Sequence, residues 1–225
     1  MIACAPGVQL MVTPYDLNAP HSGYTLEMPK PLRFGRSRKL VTFVASRKNQ
    51  VSIGCETLLE ADFCIHLEYQ SAVAAYQSQP FTIRFSKSKT RYTPDFLATL
   101  VDGNQVVYEV KSDAGARNRN WQIRRAVLEQ LFSQNDLRFE CVEQCQFDHP
   151  VQIHNLRMLY HLGYDGNLAR VPYMLRLLQE QPEKCASIAF LLKHGVSQAD
   201  LTCALFNQQL HCHLHRPLNL LSWVW

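Results

Sequence analysis

The chain has 225 residues, of which 47% are hydrophobic and 19% are charged, and its formal net charge is +4 at pH 7. This length and apolar content allow one sizeable domain, or one of about 150 residues with a small companion, and exclude a disordered chain. The N-terminus lacks the pattern of a signal peptide, and no apolar stretch approaches the ~20 residues that span a bilayer. We therefore expect a cytoplasmic protein that makes no membrane contact.

Basic residues are concentrated between residues 28 and 55, where no acidic residue occurs. Seven cations at this density repel one another unless an anion is near, which favours a polyanionic partner such as DNA. We expect Arg36, Arg38 and Lys39 to contact phosphates, and a solvated basic surface is the alternative. Residues 1–27 show no sustained periodicity and predict an arm or a loosely packed cover.

The pattern becomes helical between residues 55 and 69. Leu59, Phe63 and Leu67 recur at i, i+4 and i+8, which is typical of the buried face of an amphipathic helix. Glu56 and Glu60 lie on an adjoining stripe of the same helix. The helix therefore carries acids beside its buried face.

Two segments follow the helix. Residues 73–80 predict a loop, and residues 81–85 alternate apolar with polar side chains, as a half-buried strand does. Residues 92–111 then predict a β-hairpin, because two apolar runs flank Asp102-Gly103-Asn104, which is strong turn chemistry.

The hairpin gives its acidic residues a geometry. If Val101 faces Gln105 across the turn, Asp95 lies opposite Lys111 and diagonally beside Glu109. Since side chains alternate along a strand, Glu109 and Lys111 project from the same face.

Carboxylates held this closely repel one another unless a cation lies between them, and Mg²⁺ prefers oxygen ligands. The Lys111 ammonium can orient a water or stabilise charge on a phosphoryl oxygen. Asp95 and Glu109 therefore predict a divalent metal site. The alternative is a solvated Glu-x-Lys pair with a Pro-Asp that only opens a turn.

Further basic residues flank the hairpin in the sequence. Lys87 and Lys89 precede it, and Arg117 and Arg119 follow it. We expect these four side chains to hold DNA phosphates near the metal. Ordinary loop charges are the alternative.

A second helix and a last strand complete the first domain. Residues 121–133 predict a helix whose core side carries Ile123, Val127 and Leu131, and residues 137–147 predict a strand. The order is therefore helix, three strands, helix, strand.

We place a domain boundary at Asp148-His149-Pro150, which gives an arm and first domain over residues 1–148 and a helical domain over residues 149–225. Residues 185–209 predict a helix-turn-helix, and the tail predicts a strand pair that turns like a wing around Arg216-Pro217. A plain helical hairpin without DNA contact is the alternative.

Cysteines and histidines do not predict zinc in this chain. The eight cysteines are scattered without a Cys-x-x-Cys pair, which indicates reduced thiols. His211, His213 and His215 would share one face of the terminal strand, where histidines are more often surface or packing residues.

Pro94-Asp95 followed by Glu109-Val110-Lys111 resembles the Pro-Asp…(Asp/Glu)-x-Lys signature of the restriction-endonuclease-like superfamily. The element order resembles its core. The resemblance implies an α/β protein with a restriction-endonuclease-like mixed sheet core and a C-terminal helical, winged-helix-like domain. In that superfamily the helix before the sheet supplies another acidic metal ligand, which the resemblance assigns to Glu60, with Glu56 as the alternative.

Three segments in order also resemble the TnsA family, the endonuclease subunits of Tn-seven-like transposases, some of which belong to CRISPR-associated transposons. They are Leu59-Glu60-Ala61-Asp62-Phe63 running on to Leu67-Glu68-Tyr69, then Ser78-Gln79-Pro80-Phe81, then Thr93-Pro94-Asp95-Phe96-Leu97 with the Glu109 strand behind it.

The TnsA resemblance implies a metal-dependent DNA endonuclease that cuts the 5′ ends of a transposon. Glu60, Asp95 and Glu109 would hold Mg²⁺, for which Mn²⁺ can substitute, and Lys111 would complete the catalytic set. The implied partners are the transposon-end DNA, a TnsB-like transposase that cuts and joins the 3′ ends, and a TnsC-like ATPase.

Two features depart from the family. Some members carry Gln where Glu109 stands, so this metal site is expected to be more acidic, and the short C-terminal tail puts an ATPase contact in doubt. Two alternatives remain: a restriction or repair endonuclease with the same core, and a DNA-binding scaffold that does not cut.

Overall fold

The computed structural model describes residues 24–27, 42–86 and 89–225. The chain divides into two compact units, of which the first ends at Phe147 and the second runs from Asp148 to Trp225. None of the described helices is both long and apolar enough to cross a membrane.

The first unit alternates short strands with helices, as follows: β1 (Tyr24–Glu27), β2 (Thr42–Ser46), β3 (Val51–Cys55), α1 (Leu58–Tyr69), β4 (Val73–Ser78), β5 (Thr82–Phe85), β6 (Arg91–Tyr92), β7 (Phe96–Leu100), β8 (Gln105–Lys111), α2 (Asp113–Ala116), α3 (Arg119–Ser133), β9 (Arg138–Glu143) and α4 (Gln144–Phe147).

A four-stranded mixed sheet in the order β4-β7-β8-β9 forms the centre of this unit. Neighbouring strands are antiparallel except β8 and β9, which are parallel and are connected through α3. The first predicted helix is confirmed as α1, the two predicted hairpin strands as β7 and β8, and the helix and strand that follow them as α3 and β9. This mixed α/β core is the predicted fold class.

The first strand of the central sheet is not the predicted one. Residues 73–80 were expected to form a loop, but β4 pairs with β7. A bulge between Val73 and Ala75 breaks the period-two alternation, so the buried residues Val73 and Tyr76 stand three apart and hide the strand pattern. The strand predicted at residues 81–85 is present as β5, in another sheet.

That other sheet has three strands in the order β1-β5-β6. β1 lies within residues 1–27, which were predicted as an arm, so this prediction is wrong for Tyr24–Glu27. Tyr24 pairs with Phe85, and Glu27 accepts a hydrogen bond from the Arg84 Nε at 2.7 Å. Residues 1–23 lie outside the described part of the chain.

The hairpin is confirmed, but its register differs from the prediction by two residues. Gln105 faces Thr99 rather than Val101. The turn is longer because the Leu100 amide donates to the Asn104 carbonyl at 2.8 Å and the Asp102 carboxylate accepts from the Asn104 amide at 3.0 Å. A shift by an even number of residues leaves every side chain on its expected face.

The two helices pack on opposite faces of the central sheet. On one face, Phe63 of α1 contacts Phe96 and Tyr108, with ring centroids 5.5 and 5.2 Å apart. The other face joins α3 in a buried cluster that includes Leu97, Val107, Leu128, Leu131 and Phe132. Both faces of the hairpin are therefore fixed by apolar packing.

The buried face of α3 is rotated from the predicted one. Leu131 is buried as expected, but Ile123 and Val127 are 61% and 53% exposed. Leu128 and Phe132 take their place in the core. Two apolar stripes run along this helix. The stripe of Leu128 and Phe132 contains an aromatic ring and buries more apolar surface than the stripe of Ile123 and Val127 could.

A buried polar network joins the β2–β3 hairpin to α1 and β4. The Lys48 ammonium donates to the carbonyl oxygens of Leu67 and Val73, at 2.8 and 2.6 Å, and to that of Gln70. Nearby, Glu68 accepts hydrogen bonds from the hydroxyls of Ser46 and Tyr76. Lys48 therefore caps the C-terminal end of α1.

The second unit contains α5 (Pro150–Leu162), a 3₁₀ turn (Leu168–Arg170), α6 (Val171–Gln179), β10 (Ala186–Ser187), α7 (Ile188–Lys193), α8 (Gln198–Phe206) and β11 (Trp223–Val224). β10 and β11 form an antiparallel pair, and Cys212 makes an isolated bridge to Val224. The helices α7 and α8 correspond to the predicted helix-turn-helix.

α8 is deeply packed over its second half. Its residues from Leu201 to Phe206 are all buried, and it contains no lysine or arginine. A Cβ added at Gly163 would lie 2.5 Å from the Cys203 nitrogen, and one at Gly166 would lie 2.3 Å from the Ala199 oxygen. α8 therefore packs closely against the C-terminal end of α5 and the turn that follows it.

We predict that Lys48→Met lowers the free energy of unfolding by about 2 kcal/mol, because three carbonyl oxygens lose a charged donor. The matched control is Lys193→Met, which removes an exposed lysine from the end of α7. Urea unfolding of both variants measures the effect. Equal unfolding free energies for the two variants would contradict the capping role.

Candidate active site

The predicted acids lie at the open end of the β7–β8 hairpin. The observed register pairs Phe96 with Tyr108, and extending it by one residue sets Asp95 directly opposite Glu109. The Val110 amide donates to Asp95 Oδ2 at 2.7 Å, and the Gln79 amide donates to the Asp95 carbonyl at 2.9 Å. Both the carboxylate and the backbone of Asp95 are therefore fixed.

Glu109 is buried, with 5% exposure, and has a different partner on each oxygen. Its Oε1 forms an ion pair with the Lys111 ammonium. Its Oε2 accepts a hydrogen bond from the Tyr92 hydroxyl at 2.7 Å. The Lys111 nitrogen also lies 4.7 Å from the centroid of the Trp121 ring, a cation–π distance. The side chain of Lys111 is thus held between an acid and an indole.

The negative charge of Asp95 and Glu109 together exceeds the positive charge of Lys111 beside them. Burial, followed by the charge of Glu109, raises the pKa of Asp95 to about 7, although Lys111 and the Val110 amide act in the opposite direction. Burial, and then Glu109, also raise the pKa of Tyr92, which keeps this phenol a hydrogen-bond donor. At neutral pH Asp95 is therefore only partly ionised unless further positive charge is near.

Glu60 stands in the first turn of α1, within electrostatic reach of the pair. Burial raises its pKa and the charge of Lys111 lowers it, and the charge of Glu60 in turn raises the pKa of Asp95. Glu56, the alternative ligand, precedes the helix and donates its amide to Glu60 Oε2 at 2.8 Å. The charges of Glu60, Asp95 and Lys111 therefore influence one another, and Glu60 stays a candidate third ligand.

The Glu60 side chain is engaged by a capping box. The Thr57 hydroxyl accepts from the Glu60 amide at 3.1 Å and donates to Glu60 Oε1 at 3.0 Å. Within the described residues, the single group of three ligand atoms that all lie within 4.8 Å of one another is that of Asp113, Glu143 and Cys145. Glu60 is therefore not gathered that closely with Asp95 and Glu109.

The donor set nevertheless fits a hard divalent cation. Asp95 and Glu109 offer only carboxylate oxygens, the ligands that Mg²⁺ prefers. Burial first and the charge of Glu109 second raise the pKa of Asp95, and a bound cation would offset both effects. The group formed by Asp113, Glu143 and Cys145 is held by its own hydrogen bond, from the Cys145 amide to Asp113 Oδ1 at 3.0 Å.

The basic residues predicted to bind DNA are only partly described. Lys89, Arg117 and Arg119 are exposed, as a phosphate contact requires. The other four, Arg36, Arg38, Lys39 and Lys87, lie outside the described residues.

The histidines of the tail pack against aromatic neighbours. The His213 ring centroid lies 4.9 Å from that of Trp225, and the His215 centroid lies 5.2 Å from that of His149. All three histidines of the tail are exposed, in agreement with the expectation that they are surface or packing residues.

Tyr92 and Trp121 are site residues that the sequence did not reveal. Tyr92 lies 17 residues before Glu109 and Trp121 lies ten residues after Lys111, in β6 and α3, so neither contact follows from the alternation of side chains along the hairpin. The one sequence feature that could have indicated Tyr92 as a site residue is its position two residues before Pro94-Asp95.

Comparison with known families finds a match for the segment that contains the central sheet. Residues 70–144 match the family model described as TnsA-like endonuclease N terminal. No curated protein matches the chain significantly. The matched segment contains the whole central sheet, α3, Asp95, Glu109 and Lys111. Residues 70–144 therefore belong to the TnsA-like endonucleases, and the domain they form is a TnsA-type nuclease domain of the restriction-endonuclease-like superfamily.

Proposed function

We propose that the protein is the metal-dependent DNA endonuclease subunit of a heteromeric transposase, and that it cuts the 5′ ends of the transposon. One observation carries the proposal: Asp95, Glu109 and Lys111 meet at the open end of a hairpin that lies inside the TnsA-like segment. We infer from the TnsA-type nuclease domain that the substrate is DNA. From the paired acids we infer that the cofactor is Mg²⁺, for which Mn²⁺ can substitute.

Asp95 and Glu109 hold the cation, and Glu60 adds a third carboxylate from α1. A bound Mg²⁺ would supply a Lewis acid that polarises the scissile phosphate and lowers the pKa of a coordinated water. The Val110 amide orients the Asp95 carboxylate toward the site. Lys111 positions the attacking water or neutralises charge on a phosphoryl oxygen, and Trp121 keeps its ammonium at the site.

DNA reaches this site along basic residues. Lys89, Arg117 and Arg119 are exposed and are proposed to contact phosphates. Arg36, Arg38, Lys39 and Lys87 are proposed to extend the contact, on the strength of the charge pattern in the sequence. Because phosphate contacts release counterions, binding through these residues is expected to weaken as salt increases.

The partners follow from the family resemblance. A TnsB-like transposase would cut and join the 3′ ends, and a TnsC-like ATPase would complete the assembly in the cytoplasm. A restriction or repair nuclease with the same core is the second candidate, favoured by the complete set of Asp95, Glu109 and Lys111. The neighbouring genes discriminate between the two, since a transposase and an ATPase beside this gene support transposition.

We predict that Asp95→Asn reduces nicking of a plasmid that carries transposon ends to roughly one hundredth of the wild-type rate or less, because a charged ligand becomes neutral. The assay runs with and without the partner transposase. The control is Asp102→Asn, which makes the same change at the exposed turn of the same hairpin. If Asp95→Asn cuts as well as Asp102→Asn, the assignment of the site is wrong.

A second prediction concerns pH and rests on Asp95. Its pKa is raised from 3.8 to about 7 in the folded chain, so the folded chain binds more protons than the unfolded chain between about pH 4 and pH 7. The contribution of Asp95 to stability is therefore complete below pH 4 and is lost as pH rises through 7. The metal-free protein is expected to lose unfolding free energy over this interval, and Asp95→Asn is expected to lose less.

Mg²⁺ competes with the same proton, so its affinity is expected to rise with pH up to about 8. Chemical unfolding at pH 5 and pH 8, with Mg²⁺ and without it, measures both effects. Parallel stability curves for the wild type and Asp95→Asn would contradict the role of Asp95.

A further inference from the structure

A tyrosine hydroxyl contacts one of the proposed metal ligands, Glu109. Tyr92 belongs to β6, in the three-stranded sheet, whereas Glu109 belongs to β8, in the central sheet. The Tyr92 hydroxyl nevertheless donates to Glu109 Oε2 at 2.7 Å. This hydrogen bond joins the two sheets at the catalytic end of β8.

The surroundings of Tyr92 leave its ring little freedom. The side chain is 4% exposed, and its ring centroid lies 6.3 Å from that of Phe132. The Arg124 guanidinium covers the ring at 5.3 Å and donates to the Arg91 carbonyl at 2.6 Å. Because the ring is fixed by these neighbours, the Tyr92 hydroxyl is held in place against Glu109.

The backbone of the segment is held as firmly as the ring. Tyr92 pairs with Ile83 of β5, and the hydroxyls of Thr82 and Thr93 share a hydrogen bond at 2.7 Å. Tyr92 can therefore act as a fixed point for the more flexible glutamate side chain.

The two oxygens of Glu109 are not equivalent. Oε1 faces the Lys111 ammonium, and Oε2 faces the Tyr92 phenol. A carboxylate with a donor on each oxygen cannot rotate about its last bond without losing both partners. Hydrogen bonds from outside the ligand shell commonly fix ligands in this way, and losing one typically costs about 10- to 100-fold in metal affinity or activity.

We propose that Tyr92 is a positioning residue of the nuclease centre: its hydroxyl fixes the orientation in which Glu109 offers its carboxylate to a divalent cation. The inference rests on the proposed metal-dependent function and deepens it. It assigns a purpose to the three-stranded sheet, which carries this hydroxyl to the end of β8.

The same unit contains a matched control pair. Tyr76 is 3% exposed and its hydroxyl donates to Glu68 Oε1 at 2.8 Å, so it reproduces the chemistry of the Tyr92–Glu109 contact. Glu68, however, also accepts from the Ser46 hydroxyl and the Arg47 amide, in the network that joins β2, α1 and β4. Tyr76→Phe therefore removes an equivalent buried hydrogen bond without touching the acids of the site.

The experiment compares the wild type with Tyr92→Phe and Tyr76→Phe. For each protein, calorimetry measures the affinity for Mn²⁺, and plasmid nicking is followed as a function of Mg²⁺ concentration. Urea unfolding records the stability of all three. A structural role alone would lower the stability of both variants and leave the metal dependence unchanged.

Tyr92→Phe is expected to bind Mn²⁺ about tenfold or more weakly and to need correspondingly more Mg²⁺ for half-maximal nicking, with recovery at saturating metal. Tyr76→Phe is expected to keep the wild-type metal dependence. Equal Mn²⁺ affinity and Mg²⁺ dependence in all three proteins would overturn the role of Tyr92.

The outcome separates this inference from the proposed function. If the wild type cuts only with metal and Tyr92→Phe behaves identically, the function stands and the inference fails. If the wild type neither binds Mn²⁺ nor cuts, the proposed function itself fails, and the role of Tyr92 fails with it.

A second variant covers the case in which Tyr92→Phe does not fold. Incorporating 4-aminophenylalanine at residue 92 keeps the ring but replaces the hydroxyl by an amine, which is a weaker hydrogen-bond donor and holds Glu109 less firmly. A lower Mn²⁺ affinity with unchanged unfolding supports the inference, and an unchanged affinity overturns it.

Discussion

The first unit holds two carboxylates, those of Asp95 and Glu109, close together at the open end of the β7–β8 hairpin. Antiparallel pairing sets Asp95 and Glu109 side by side, and their repulsion is offset only partly by Lys111. Such a pair persists because the surrounding packing over-determines it: α1 and α3 cover opposite faces of the sheet, and β6 supplies the phenol. The stability of the rest of the unit is therefore what keeps the acids in place.

Those acids could be predicted because the hairpin is encoded locally. Asp102-Gly103-Asn104 marks the turn, and the alternation of side chains decides which residues share a face. The actual register differs by two residues, yet the prediction for Glu109 and Lys111 survives because an even shift preserves their face. The turn geometry itself depends on side-chain hydrogen bonds that residue type alone does not specify.

Other features could not be predicted because they depend on tertiary packing. The bulge in β4 hides the period of a true strand, and two apolar stripes on α3 compete for one core. Tyr92 lies 17 residues from Glu109 in sequence and in another sheet, so its contact is invisible to any pattern of spacing. In contrast, Thr57 and Glu60 have the spacing of a capping box, so local spacing encodes this contact.

The capping box on α1 has a consequence for the proposed role of Glu60 as a metal ligand. Both oxygens of Glu60 already have a partner, in the Glu56 amide and the Thr57 hydroxyl. A hydrogen bond of this kind contributes about 1 kcal/mol, and Glu60 gives up both bonds if its carboxylate turns toward a cation. If the protein binds a divalent ion as proposed, the acid from α1 therefore exchanges one satisfied set of partners for another when the ion binds and leaves.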